Sequence, residues 1–274
     1  MASPPTQGPS VVLCTAMSTD RTGKHLIQQK ASIDNFFASH RRDPDLPLLK
    51  YIATWRMATA ISRLLGESRG RINTSSRVLV LCAADGYEGS TLCDLGFKDV
   101  TISDLSDVAL TAALERDRRL KTICLDAENV GFPDEAFDVV VTQDGLHHLQ
   151  SPVRGFTEML RVCKQAAFFL EPHDSWIGHI LGKRWEVEGE AKNYVFRWNR
   201  KLVQDVASSY LVSDSFRNLS FSFWHHNPVF ERIGRTLSMG QFGCNSIAAT
   251  KFMLDVIFGR WGNQFCGMII LDRD

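Results

Sequence analysis

The sequence predicts an α/β fold built on a doubly wound, mostly parallel sheet. Three observations lead there. Five short, continuous apolar runs occur at Val78–Leu81, Val100–Ser103, Thr122–Leu125, Phe137–Thr142 and Ala166–Leu170. Helical stretches separate them, near Glu88–Leu95, Asp107–Arg118 and Val153–Cys163. A glycine-containing turn follows the first run directly, at Cys82–Gly89. Apolar runs of this kind suit strands buried on both faces. Strand–helix alternation at this rhythm makes βαβ units, whose handedness puts the loops after each strand along one edge, where ligands bind.

The other elements follow in chain order. Residues 1–23 are rich in Pro, Gly, Ser and Thr and read as a flexible tail. From His25 to His40 the apolar points Ile27, Ile33, Phe36 and Phe37 are mixed with polar residues, and Arg41–Pro47 is a break. Leu49, Ile52, Trp55, Met57, Ile61, Leu64 and Leu65 fit a helix over Leu48–Leu65, closed by Gly66. After Leu170 the pattern loses regularity. A helix over Asn199–Tyr210, a strand at Leu219–Trp224, helices at Pro228–Leu237 and Ile247–Phe258, and a last strand at Phe265–Leu271 are expected.

Composition excludes several classes. Lys+Arg and Asp+Glu both number 31, so the formal net charge is zero. A dedicated nucleic-acid or anionic-membrane binder needs a basic excess. No apolar run approaches the roughly 20 residues that span a bilayer, and no secretory leader is visible. The seven cysteines have no zinc-type spacing and read as buried free thiols of a cytoplasmic protein. His225-His226 lacks a third ligand, so no metal is expected.

The chemistry gathers between Val78 and Leu149. Gly86 permits a tight turn and close backbone approach, and the next helix offers free N–H groups to a ligand. An ordinary βα turn explains the same residues. Asp104 ends the second strand about 20 residues beyond the turn, the place of an acid that accepts from a ribose diol; helix capping is its alternative. Asp126 follows the third strand and could accept from an adenine amine while the Ala127 N–H meets the ring; turn capping competes. His147 and His148 follow the fourth strand with an imidazole's capacity to move protons at neutral pH. Glu171, His173 and Asp174 share their rim. Aromatics from Trp176 to Trp198, with Phe221, Phe223 and Trp224, could line a flat pocket or fill a core.

Val78–Gly89, Thr101–Asp104, Asp126–Val140, Gln143–Leu149 and Arg161-Val162 through Glu171-Pro172 together resemble the class I S-adenosylmethionine-dependent methyltransferases that modify small molecules. The resemblance spans roughly 77–172 and is most specific over 126–149. It departs from the family pattern in the glycine loop. Cys82 stands in place of an acid, Ala84 in place of the first glycine and Glu88 in place of the third, and only Gly86 is kept, with Gly89 just beyond. The resemblance implies a Rossmann-like, doubly wound, mostly parallel seven-stranded sheet with N-terminal helices and a cap. It implies S-adenosylmethionine as cofactor, touched by Cys82, Ala84, Gly86, Asp104, Leu105, Asp126, Ala127 and Gln143. It implies His147, His148 and Glu171 as catalytic residues.

The expected organisation is a tail (1–23), an N-terminal helical lid (24–70), a cofactor-binding core (71–175) and a cap that completes the sheet (176–274). The expected function is methyl transfer to an O, N or C nucleophile of a small aromatic or hydrophobic molecule. The expected partners are that acceptor and a second copy of the chain, with no nucleic acid and no membrane. A non-catalytic, methyltransferase-like binding protein is the alternative, motivated by the eroded glycine loop. A nicotinamide-dependent dehydrogenase lacks its fingerprint glycines here.

Overall fold

A computed structural model describes residues 21–39, 47–188, 191–224, 253, 255 and 257–272. Helices α1 (Arg21–Ser39) and α2 (Pro47–Glu67) come first. The alternating core follows: β1 (Arg77–Leu81), α3 (Tyr87–Asp94), β2 (Asp99–Asp104), α4 (Asp107–Arg116), β3 (Lys121–Cys124), β4 (Phe137–Gln143), α5 (Pro152–Val162) and β5 (Cys163–Pro172). Beyond it lie α6 (Trp176–Leu181), the strands β6 (Trp185–Glu188) and β7 (Ala191–Tyr194), α7 (Arg200–Leu211), β8 (Phe216–Asn218), β9 (Phe221–Phe223) and β10 (Gln264–Leu271). Most of the helices expected at Pro228–Leu237 and Ile247–Phe258, all of the first twenty tail residues and the His225-His226 pair lie outside the described residues.

The main sheet runs β3-β2-β1-β4-β5-β10-β8, with β9 also on β10. The pairs β1–β2, β2–β3, β1–β4 and β4–β5 are parallel, and β10 is antiparallel to its neighbours. The mostly parallel, Rossmann-like sheet expected of the sequence is present. Its seventh position is split, because the edge strand breaks at Leu219-Ser220. There the Ser220 hydroxyl, not a main-chain carbonyl, takes the Met268 N–H at 3.0 Å.

The continuous apolar runs are explained by burial on both faces. Val78 and Val80 join Val139, Val141 and Phe168 under α2 and α3, through Met57, Ile61, Leu64 and Leu92. Leu79, Leu81, Val140 and Phe169 face α5 and α7, through Phe156, Leu160 and Val203. Helix starts follow local chemistry: Ser106 caps α4 by accepting from Ala109 N, and Asn199 caps α7 by accepting from Leu202 N.

Two features revise the expectation beyond Glu171. The irregular stretch contains an antiparallel hairpin, β6–β7, which pairs Trp185 with Tyr194 and Glu186 with Asn193. The aromatic cluster also divides. Trp198 is fully buried and packs with Phe156, Phe169 and Phe196 in the core, whereas Trp176, Trp185 and Tyr194 are exposed. Among the described cysteines, Cys82, Cys93, Cys163 and Cys266 are free, and Cys163 and Cys266 are buried.

The turn after β1 depends on glycine twice. Gly86 sits at φ +73°, and a Cβ there would lie 2.7 Å from the Ala113 Cβ. A Cβ on Gly89 would lie 2.5 Å from Ile102 Cγ2, so α3 rests directly on β2. Gly86→Ala is expected to cost about 1–3 kcal/mol through left-handed backbone strain and overpacking, read as a lower denaturant midpoint; an unchanged midpoint would contradict this packing.

Candidate active site at the carboxyl edge of the sheet

The residues singled out from the sequence line one edge of the sheet. Along β3, β2, β1 and β4 they run Asp126 and Ala127, Asp104 and Leu105, Cys82 to Gly86, and Gln143. Asp104 is 5% exposed. Its Oδ2 accepts from Ala84 N at 2.8 Å and its Oδ1 from Ser106 N at 3.0 Å. Burial raises its pKa, and these backbone bonds work against that rise. The carboxylate therefore clasps the glycine loop to the start of α4. Each oxygen retains a second lone pair for a diol.

Ala84 holds φ 45°, and Cys82 holds φ 52°. Ala84 thus adopts the left-handed backbone that a glycine would take without strain, and the turn forms without the family's first glycine. Cys82 is a partly buried thiol whose pKa is pushed well up, first by burial and then by Asp104, Glu171 and Asp126. It is no thiolate nucleophile. Asp126 accepts from Glu128 N through Oδ1 at 2.8 Å, so it caps its own turn as well as standing at the edge. Ala127 is buried. Gln143 is buried and donates Nε2 to Glu88 Oε1 at 3.0 Å, and its own Oε1 is buried with no hydrogen-bond partner among the described residues.

The residues after β4 and β5 meet as a compact polar cluster. Glu171 is fully buried. Its Oε1 accepts from Gly145 N at 2.8 Å and Leu146 N at 2.7 Å, and its Oε2 lies 2.6 Å from His147 Nδ1. The other nitrogen of His147 is 3.3 Å from Glu186 Oε2 on the hairpin. Burial by itself would lower the His147 pKa. The charge and hydrogen bond of Glu171, with the bond to Glu186, outweigh burial and hold it well above its ordinary value. Glu186 in turn is lowered to about 2, chiefly by the bond from His147. His147 is accordingly an imidazolium held between two carboxylates, with an N–H on each ring nitrogen.

His148 sits beside it, with ring centroids 4.3 Å apart. Its Nδ1 is 3.2 Å from Asn193 Nδ2, while Asn193 Oδ1 accepts from Gln29 Nε2 at 2.6 Å and approaches His25 Nε2 at 3.2 Å. With Oδ1 fixed as the acceptor for Gln29, the Asn193 amide donates to His148 Nδ1. With the Asn193 N–H pointing at Nδ1, a neutral His148 ring carries its proton on Nε2. His147, His148 and Glu186 each bring a ligand-type atom within 4.8 Å of the others.

His147 has a raised folded pKa, so its stabilisation is complete below about 6.5 and lost as pH rises through the higher folded value. Glu186 has a depressed pKa, so its share is complete above its ordinary 4.5 and lost as pH falls toward about 2. Glu186→Gln is expected to flatten the acid limb of the stability profile over that window; an unaltered acid limb would contradict the ion pair.

Glu171 thus positions the loop and His147 and is fully buried. His173 is also packed away: it stacks on Phe265 at 5.4 Å, its Nδ1 bonds Gly262 O, and burial lowers its pKa. Asp174 bonds His179 and Asn199. Sequence reasoning missed Glu186, Asn193, Gln29 and Arg56. The Arg56 side chain comes from α2 and pairs through Nη2 with Asp144 Oδ2 at 2.9 Å. None of the four carries a local motif; each reaches the cluster from a segment far along the chain.

Residues 81–170 match the family model described as a methyltransferase domain. A demethylmenaquinone methyltransferase of Clavibacter sepedonicus is 30% identical over 142 residues, which cover 50% of this chain and 54% of that protein. Another, of Beutenbergia cavernae, is 34% identical over 110 residues, covering 40% and 42%. The chain thus spans about half the length of the curated relatives it matches. A methyltransferase structure from Thermotoga maritima, described as S-adenosylmethionine-dependent, superposes with a TM-score of 0.55 at 14% identity, covering 89% of this chain and 99% of that one. The fold is the α/β arrangement of that structure. More narrowly, residues 81–170 are the segment similar to a methyltransferase domain.

Proposed function

We propose that the chain transfers a methyl group from S-adenosylmethionine to a small, planar or hydrophobic acceptor, at an atom that carries negative charge when it reacts. The observation behind this reading is the ordered edge from Asp126 through Asp104 and the Gly86 turn to Gln143, which ends beside the His147–His148 pair. The residues fit the cofactor. Gly86 and Gly89 leave no room for a Cβ where the loop closes on β2, and Gln143 Oε1 is a buried acceptor still without a donor. Asp104 would take the ribose diol, Asp126 and Ala127 the adenine, and Gln143 the ammonium. The bound cofactor supplies an electrophilic methyl on a sulfonium, so the protein's work is alignment and charge.

His147 offers no lone pair while it is charged, and Glu171 and Glu186 take both its nitrogens, so it positions the loop and its neighbour rather than acting as a base. His148, when its proton is on Nε2, would donate to an oxygen of the acceptor. A hydroxyl or enol oxygen suits that donor; a basic amine does not. The names of the relatives, which refer to demethylmenaquinone, agree with a planar acceptor of that type. The test is titration calorimetry with S-adenosylhomocysteine, then turnover with hydroxylated quinones, phenols and amines. No binding at high micromolar ligand would overturn the reading, and preferred methylation of amines would overturn the anionic acceptor. His147→Ala and His148→Ala are expected to reduce turnover at least about tenfold while leaving cofactor affinity within about twofold. Full activity in both variants would remove the pair from the reaction.

A further inference from the structure

We infer that the outward face of the β6–β7 hairpin, with the adjoining face of α6, is a docking surface for an anionic lipid bilayer. The hairpin is built inside out. Strand alternation and register place Glu186 and Asn193 on one face and Trp185, Val187, Lys192 and Tyr194 on the other. The polar face is the one turned inward, where Glu186 meets His147 and Asn193 meets His148. The mainly apolar face is turned out, with Trp185, Val187 and Tyr194 46%, 65% and 45% exposed. On α6, which leads into β6, Trp176 and Ile180 stand one turn apart and are 63% and 70% exposed. Five of the fourteen exposed large apolar side chains among the described residues thus fall within 176–194. An apolar surface concentrated in this way marks a partner.

Charge and side-chain type select that partner. The four outward hairpin positions include a cation and no acid. Lys183, Arg184 and Lys192 are exposed, and none forms an ion pair among the described residues. The Lys192 ammonium lies 4.7 Å over the Trp185 ring, which the Tyr194 ring meets edge-on at 5.3 Å. Trp and Tyr combine an apolar body with a polar edge, and lysine holds its charge in water above an apolar stem. That combination suits the headgroup boundary of a bilayer. The zero net charge of the whole chain averages over a local excess of this kind. A second copy of the chain fits less well, because a two-fold contact through this face sets the same three cations against one another. The link to catalysis rests on the function proposed above. One two-stranded ribbon then separates the bilayer from the histidine pair, and a hydrophobic acceptor leaves the lipid beside its site.

The test is co-sedimentation of the full chain with vesicles of phosphatidylcholine alone and of phosphatidylcholine mixed with phosphatidylglycerol. Partition onto the anionic vesicles is expected, and it should fall as salt rises. Trp185→Ser/Val187→Ser is expected to lower the partition coefficient at least about tenfold, and Lys192→Glu at least about fivefold. No partition by the wild type, undiminished partition in these variants, or equal partition onto both vesicle types would overturn the inference. Should the hairpin variant not fold, Trp176→Ser/Ile180→Ser tests the α6 half of the face, with a loss of the same size expected. A dimer in sedimentation velocity that either double variant dissolves would make the face an interface between copies and would also overturn it. Turnover separates the surface from the proposed function. Trp185→Ser/Val187→Ser should keep turnover of a water-soluble acceptor within about twofold. If the wild type partitions but methylates nothing, the proposed function falls and the surface stands; if it methylates but does not partition, the surface alone falls.

Discussion

Glu171→Ala is expected to abolish methyl transfer and to destabilise the fold more than any other single change at the site. The carboxylate is fully buried and holds three groups at once: Gly145 N, Leu146 N and His147 Nδ1. Truncation strands two buried N–H donors and removes the main counter-charge of a buried imidazolium. The cost is about 3–5 kcal/mol, the range for breaking a buried ion pair. Gly145 cannot simply shift to compensate, since even a Cβ there would come within 2.5 Å of the Cys82 Cβ. Chemical denaturation and turnover together read the effect. Glu171→Gln keeps an acceptor for the loop but loses the charge, so it should recover much of the stability and little of the activity. Equal recovery of both would mean that His147 needs no charge.

Asp104→Ala is expected to weaken binding of S-adenosylhomocysteine by more than about tenfold, since it leaves a diol without its acceptor. The structure adds a second reason. Asp104 is also what ties Ala84 N to Ser106 N. Ala84 stands at φ 45° without glycine's freedom, so the loop relies on that bond to stay in the left-handed turn. Asp104→Asn separates the two roles. Its amide presents one acceptor and one donor, so it should keep one of the backbone bonds and lose much of the diol affinity. Calorimetry with wild-type affinity in both variants would refute the ribose assignment.

The parallel core was legible because burial on both faces leaves a local trace: a run such as Val78–Leu81 is apolar at every position. The gathering of Asp104, Asp126 and His147 at one edge was legible for a related reason: each βα loop lies next to its own strand, so topology alone brings them there. Glu186 and Asn193 left no such trace. Within the hairpin, Trp185, Val187 and Tyr194 are exposed, so its alternation does not show an apolar face turned to a core. Its strands are pinned instead by polar contacts to His147 and His148, which pairwise sequence patterns do not reveal. Arg56 is hidden differently. In an amphipathic helix an arginine reads as a solvated residue, and only its 5% exposure shows otherwise.

The Asn193 side chain has a consequence for timing. A single amide, 3% exposed, receives Gln29 and His25 from α1 on its oxygen and fixes the tautomer of His148 with its nitrogen. If α1 swings away to admit a ligand, the amide loses what orients it and can rotate half a turn. His148 would then face an oxygen instead of an N–H, and its proton would belong on the other ring nitrogen. The proton position of His148 is thereby coupled to where α1 sits, although the two are joined through a single amide.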